Sequence, residues 1–176
     1  MTLRLHRVAT AVRVVLVVAG TLVLGLTLTG AITRREAEAT VFLARHTGLD
    51  MTRDLKGTSL IHSFHGNQPF FVAVTPSCSA LTAIVAVAGA SIFVLGGTWA
   101  QRIGGALAAA CILAVGNVLR LLAVLWVGHL AGVPAMEVFH NWGGTAMSYV
   151  LLVIGLLLMI AVRMPRRAEV GVHEVP

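Results

Sequence analysis

The stretch GGALAAACILAVGNVLRLLAVLWVGHL, residues 104–130, decides the class of fold. It holds a single formal charge, Arg120, in a run longer than the roughly 20 apolar residues that carry a helix across a bilayer. Three further apolar runs stand beside it, at 8–32, 78–96 and 143–162. The whole chain follows the same bias: of 176 residues 57% are hydrophobic and 11% charged, with a mean hydropathy of +0.90. That is too apolar for a soluble domain. The expectation is an all-α, polytopic membrane protein with about four transmembrane helices, forming a single membrane domain over residues 1–176. The first run exceeds the 7–15 or so residues of a signal-peptide core and reads as a retained anchor.

The charges set an orientation. Thirteen Lys and Arg stand against seven Asp and Glu, a formal charge of +6, and most of the cations flank the apolar runs. Arg4, Arg7, Arg102, Arg163, Arg166 and Arg167 fall on one side if the chain starts and ends in the cytoplasm, whereas 131–141 carries neither Lys nor Arg. Segment 33–75 would then be extracytoplasmic despite its own cations, including Arg34, Arg35 and Lys56, and 163–176 would be a cytoplasmic tail. With the basic residues serving topology, nucleic acid is not an expected partner. Within the outer segment, 36–49 predicts an amphipathic helix resting on the membrane, with Ala39, Val41, Phe42, Leu43 and Leu49 toward the headgroups. No folded domain is expected there. His62 and His65 lack the cysteine or carboxylate that would complete a metal shell and read as polar loop residues. Cys78 and Cys111 form no C-x-x-C pair, so neither a redox motif nor a disulfide framework is indicated.

Three short motifs fall at one depth on three runs: Thr75-Pro76-Ser77-Cys78-Ser79, Asn117-Val118-Leu119-Arg120 and Phe139-His140-Asn141-Trp142-Gly143-Gly144. Thr75 as N-cap and Pro76 at the first helical position would place Cys78 in the first turn of the second span, where the helix dipole favours a thiolate. Ser77 and Ser79 add hydroxyls beside the sulfur. Cys111 reads as packing. Arg120 lies about 24 Å up a hydrocarbon core of about 30 Å, and a charge at mid-span costs about 2.5–3.5 kcal/mol, which makes it a functional candidate. The bland alternative is snorkelling to the interface. Asn117, on the same helical face, can hydrogen-bond the guanidinium or a carbonyl. His140 opens the fourth run, with Glu137 or Asn141 to orient its imidazole and Gly143 and Gly144 allowing close approach. A thiol, a guanidinium and an imidazole on one face form a set suited to nucleophilic catalysis.

In order and spacing these motifs, now read as Cys78-Ser79-Ala80, Asn117-Val118-Leu119-Arg120 and Phe139-His140-Asn141-Trp142-Gly143-Gly144, resemble those of the exosortase/archaeosortase family over roughly residues 76–144. Ala80 stands where the family usually has Gly, and larger members carry additional spans, so this chain is similar to a compact form. The resemblance implies a cysteine-type transpeptidase or peptidase of the plasma membrane with its active site on the extracytoplasmic face. Its substrate would be an exported protein bearing a C-terminal sorting signal (a motif, a transmembrane helix and a basic tail), and its acceptor a membrane lipid or glycolipid. Cys78 would be the nucleophile, His140 the proton shuttle and Arg120 the group that stabilises the oxyanion or positions substrate. Ser77, Ser79, Asn117, Glu137, Asn141 and Gly144 would support them, with no metal and no organic cofactor. The alternative is a non-enzymatic subunit, or a degenerate member that binds sorting signals without cutting them.

Overall fold

A computed structural model describes residues 2–49, 52–55 and 58–163. Lys56, Arg166, Arg167, the tail beyond Arg163 and the side chains of Arg4 and Arg7 lie outside the described residues. The fold is mostly helical, as expected, but it also contains a small sheet. Helix α1 (Thr2–His46) is followed by β1 (Arg53–Asp54), β2 (Leu60–His65) and β3 (Gln68–Ala73), then a 3-10 turn (Pro76–Cys78) and α2 (Leu81–Gly89), which closes in a π turn (Ala90–Val94). Helix α3 (Trp99–Val138) leads through a second π turn (Phe139–Gly144) into α4 (Thr145–Ala161).

Among the described residues two helical stretches, not four, are long and apolar enough to cross a membrane: Thr10–His46 and Trp99–Ala161. They support association with a membrane. The apolar helix Leu81–Val94 is shorter than the roughly 20 residues of a straight crossing. The longer stretch is a hairpin, because α3 breaks at Gly132 (φ 80°, ψ 177°), backbone angles that an L side chain cannot take without strain. Beyond the break Gly128 faces Met136, Gly116 faces Leu151 and Gly105 faces Met159, so the second arm runs back along the first. Residues 131–141, between the third and fourth apolar runs, are therefore mostly helix, and Pro134 sits just past the break, where its missing N–H costs little. Glycine and alanine line the seam because close backbone approach, not hydrophobic transfer, drives helix association in lipid.

Helix α1 is 45 residues long, about 67 Å at roughly 1.5 Å per residue, well beyond one bilayer. Its first half exposes Val15, Leu16, Leu22 and Leu26, the last 85% accessible. Its last turns bury Ala37, Val41 and Ala44 against Leu121, Leu125 and Ile61. Residues 36–49 are thus mainly the end of α1, held against the protein, with Ala39 and Phe42 exposed and Leu49 buried; they are not a separate helix lying on a membrane. Packing partners, invisible to local periodicity, decide this.

The sheet lies in the outer segment, where no folded domain is expected, and its hairpin turns at Gly66 and Asn67, a two-residue connection of the kind that favours antiparallel pairing. It has order β1-β2-β3, all antiparallel. It is pinned to α3 by a reciprocal pair: His65 Nδ1 lies 2.7 Å from the His129 carbonyl, and His129 Nδ1 lies 2.7 Å from the Phe64 carbonyl. His62 stacks on Phe71 at 4.8 Å. His62 and His65 therefore both have structural places.

At the opposite end, Arg163 donates to the Ser91 carbonyl (2.8 Å) and hydroxyl (2.6 Å), and Ser91 Oγ donates to the Arg102 carbonyl (2.8 Å). Arg102 and Arg163, both expected on the cytoplasmic side, lie together at this end.

Candidate active site

Ser79 and Ala80 separate the 3-10 turn from α2, so Cys78 does not lie in the first turn of a long helix. Thr75 occupies the N-cap position and Pro76 the first turn, as expected, but the Thr75 side chain caps no backbone group. Its hydroxyl instead lies 3.1 Å from Cys78 Sγ and 2.8 Å from Ser77 Oγ. The dipole of a long helix therefore has no part in placing this thiol; the hydroxyl and an imidazole do. Cys78 is buried, and its Sγ is 3.6 Å from His140 Nε2.

His140 reaches the thiol from the π turn Phe139–Gly144. An extra residue in a helical turn rotates the following side chains, and such bulges recur at functional sites. Glu137 and Asn141 are exposed, and among the described residues neither hydrogen-bonds the imidazole. Gly144 is buried, and a Cβ there would come to 3.8 Å from Arg120 Cδ and 3.9 Å from His140 Nδ1. Its place is in the wall of the site.

Arg120 is 7% exposed, which excludes snorkelling. One terminal nitrogen donates to the Cys78 carbonyl, and the other donates to Ser148 Oγ at 2.7 Å. Ser148 Oγ donates in turn to the Gly144 carbonyl at 2.9 Å. The guanidinium thus ties the Cys78 turn to the π turn that carries His140. Asn117 does not bond Arg120: its Nδ2 donates to Glu36 Oε1 at 3.0 Å.

Glu36, assigned from sequence to a membrane-surface helix, is 8% exposed. Its Oε1 also accepts the Ala80 N–H at 3.1 Å. The backbone around Cys78 is therefore held twice, at the Cys78 carbonyl by Arg120 and at the Ala80 amide by Glu36. A signal for Glu36 existed in the sequence: it is an acid one turn beyond the end of the first apolar run. Ser148 follows His140 and Gly144 at successive spacings of four. Cys111, read as packing, is exposed on α3.

Glu36→Ala removes the acceptor of two buried donors. At about 1–3 kcal/mol for each unsatisfied group, and about 2–4 °C per kcal/mol for a chain of this size, the variant is expected to melt clearly below wild type. A thermal unfolding scan in detergent checks this, and an unchanged midpoint would remove Glu36 from the framework.

Two cavities flank the thiol–imidazole pair. One, of about 130 Å³, is lined by Ser77, Ser79, Ala80, Asn117, Arg120 and Ser148 among others. The other, of about 170 Å³, lies between β3 and the π turn, with His140 and Asn141 in its wall. No group of three or more potential metal ligands occurs among the described residues.

Comparison with protein-family models, curated proteins and solved structures finds no match to the chain. Residue chemistry and geometry carry the functional reading.

Proposed function

We propose that the chain is a membrane-embedded cysteine transpeptidase or peptidase, similar to the exosortase/archaeosortase family, that cleaves C-terminal sorting signals of exported proteins. The observation that carries this reading is the buried thiol of Cys78 at 3.6 Å from His140 Nε2, braced by Arg120. His140 takes the thiol proton as the sulfur attacks the scissile carbonyl, and it returns that proton to the departing amine as the tetrahedral adduct collapses to a thioester. A hydroxyl or amine of a lipid or glycolipid acceptor then attacks the thioester, loses its proton to His140 and frees the thiol.

The oxyanion needs donors, and the nearest backbone amides are committed. Cys78 N–H goes to the Thr75 carbonyl (2.9 Å), Ser79 N–H to the Pro76 carbonyl (3.3 Å) and Ala80 N–H to Glu36. Arg120 Nε is buried without a partner. In this reading Arg120 both positions the nucleophile's turn and supplies the remaining donor.

A four-pass arrangement with the site on the extracytoplasmic face is part of the proposal. Arg102 and Arg120 stand about 27 Å apart along α3 at roughly 1.5 Å per residue, close to a hydrocarbon thickness of about 30 Å. The α2 segment joins the same two levels, since the Cys78 carbonyl accepts from Arg120 and Ser91 Oγ donates to the Arg102 carbonyl. Exposed Trp142 beside the site and Trp99 at the opposite end suit the two interfaces.

In a Cys111→Ala background, His140→Ala is expected to slow iodoacetamide alkylation of Cys78 at pH 7 by about tenfold or more, because the thiol loses its base. An unchanged rate in folded protein would remove the dyad from the mechanism.

A further inference from the structure

We infer that the peptide on the acyl side of the scissile bond binds as an added strand on the open edge of β3; this rests on the thiol–imidazole reading above. In the order β1-β2-β3 the outer edge of β3 has no neighbouring strand among the described residues. The hydrogen-bond phase of the sheet shows which groups that edge offers. Val74 N–H bonds the Ser59 carbonyl at 2.8 Å, Leu55 N–H bonds the Leu60 carbonyl at 3.0 Å, and Leu60 pairs with Ala73. Bonded and non-bonded pairs alternate in an antiparallel ladder. Leu60 therefore turns its polar groups toward β1, and the N–H and C=O of Ala73 and Phe71 point away from β2.

The same alternation gives Pro69 an outward position with no N–H to offer, which blunts the far end of the edge. The two complete positions, Phe71 and Ala73, are those nearest Cys78 in the chain. The cavity of about 170 Å³ lies beside them: Phe71, Val72 and Ala73 form one wall, and Glu137, His140 and Asn141 lie among the residues of the other. A strand laid on this edge runs along the cavity and ends at the imidazole that faces the thiol. The occupant is extended peptide because the edge presents main-chain donors and acceptors, which recognise any backbone, with side-chain selection left to the pockets.

The test uses full-length Cys111→Ala protein in membranes and N-acetyl-tetraalanine chloromethyl ketone. This probe alkylates the thiol with loss of chloride, and its alanines confine recognition to the backbone. Two further probes carry N-methyl groups on alternate amides, one set at the first and third residues and the other at the second and fourth. Strand addition predicts a period of two: one set reacts about tenfold more slowly than the parent as two hydrogen bonds are lost, and the other within about twofold. Ala73→Pro slows the parent probe comparably and leaves iodoacetamide unaffected. Equal rates for all three probes, equal slowing of both methylated sets, or an Ala73→Pro protein that reacts normally with the peptide would overturn the proposal. Iodoacetamide alone reports whether His140 activates Cys78, so failure of the strand site is distinguishable from failure of the dyad.

Discussion

Cys78→Ala is expected to leave a co-expressed exported protein with a C-terminal motif, helix and basic tail entirely uncleaved, while the variant itself accumulates in the membrane at wild-type level. No other thiol can substitute, since Cys111 is exposed on α3 and makes no contact with His140. The loss should be nearly complete, on the order of 10⁴–10⁶ in rate, as when other hydrolases lose the nucleophile of a group that works as a unit. The fold should tolerate the change. Cys78 packs among Ala37, Leu121, Val124 and other apolar side chains, and its backbone anchors, the Arg120 bond to the carbonyl and the Thr75 carbonyl to the amide, survive truncation of the side chain. Immunoblots of substrate size and of the variant in the membrane fraction separate the outcomes. Processing at the wild-type rate would sink the covalent mechanism and leave a binding role.

Arg120→Lys should be nearly as damaging, although it keeps the charge. The guanidinium holds the Cys78 carbonyl with one nitrogen and Ser148 with another, and keeps Nε spare. An ammonium on a shorter, non-planar head cannot reproduce that fork. A fall of about 10²–10³ in substrate cleavage is expected, the scale for losing an oxyanion donor. The accompanying misplacement of the nucleophile's turn should show as slower alkylation of Cys78 by iodoacetamide. Full cleavage by the Lys variant would reduce Arg120 to a buried point charge.

Some of this was legible along the chain because it depends on local composition. The apolar runs, the isolated Arg120 within one of them and the placement of Cys78 and His140 at the ends of two others all follow from hydropathy and alternation. Where structure and sequence part, the cause is common. An amphipathic stripe at 36–49 does not reveal what covers it, and here α3 and the sheet do. The helix preceding His140 is not legible from composition because Gly132 alone makes the turn. Spacing on one helix offers Asn117 the guanidinium of Arg120 or a backbone carbonyl, whereas its partner is a carboxylate from α1.

By itself, the sequence determined a mostly helical, strongly apolar chain and the three residues on which the chemistry is proposed to turn, since apolar length and an intramembrane charge are properties of single segments. Only the tertiary structure decided how those residues are held. Glu36 reaches Ala80 and Asn117, Ser148 completes the link from Arg120 to the π turn, and β3 borders the cavity that His140 lines. The bonds of Glu36 to Ala80 and Asn117 and of Arg120 to Ser148 join segments far apart in the chain, and such contacts arise from helix packing, which no local pattern encodes.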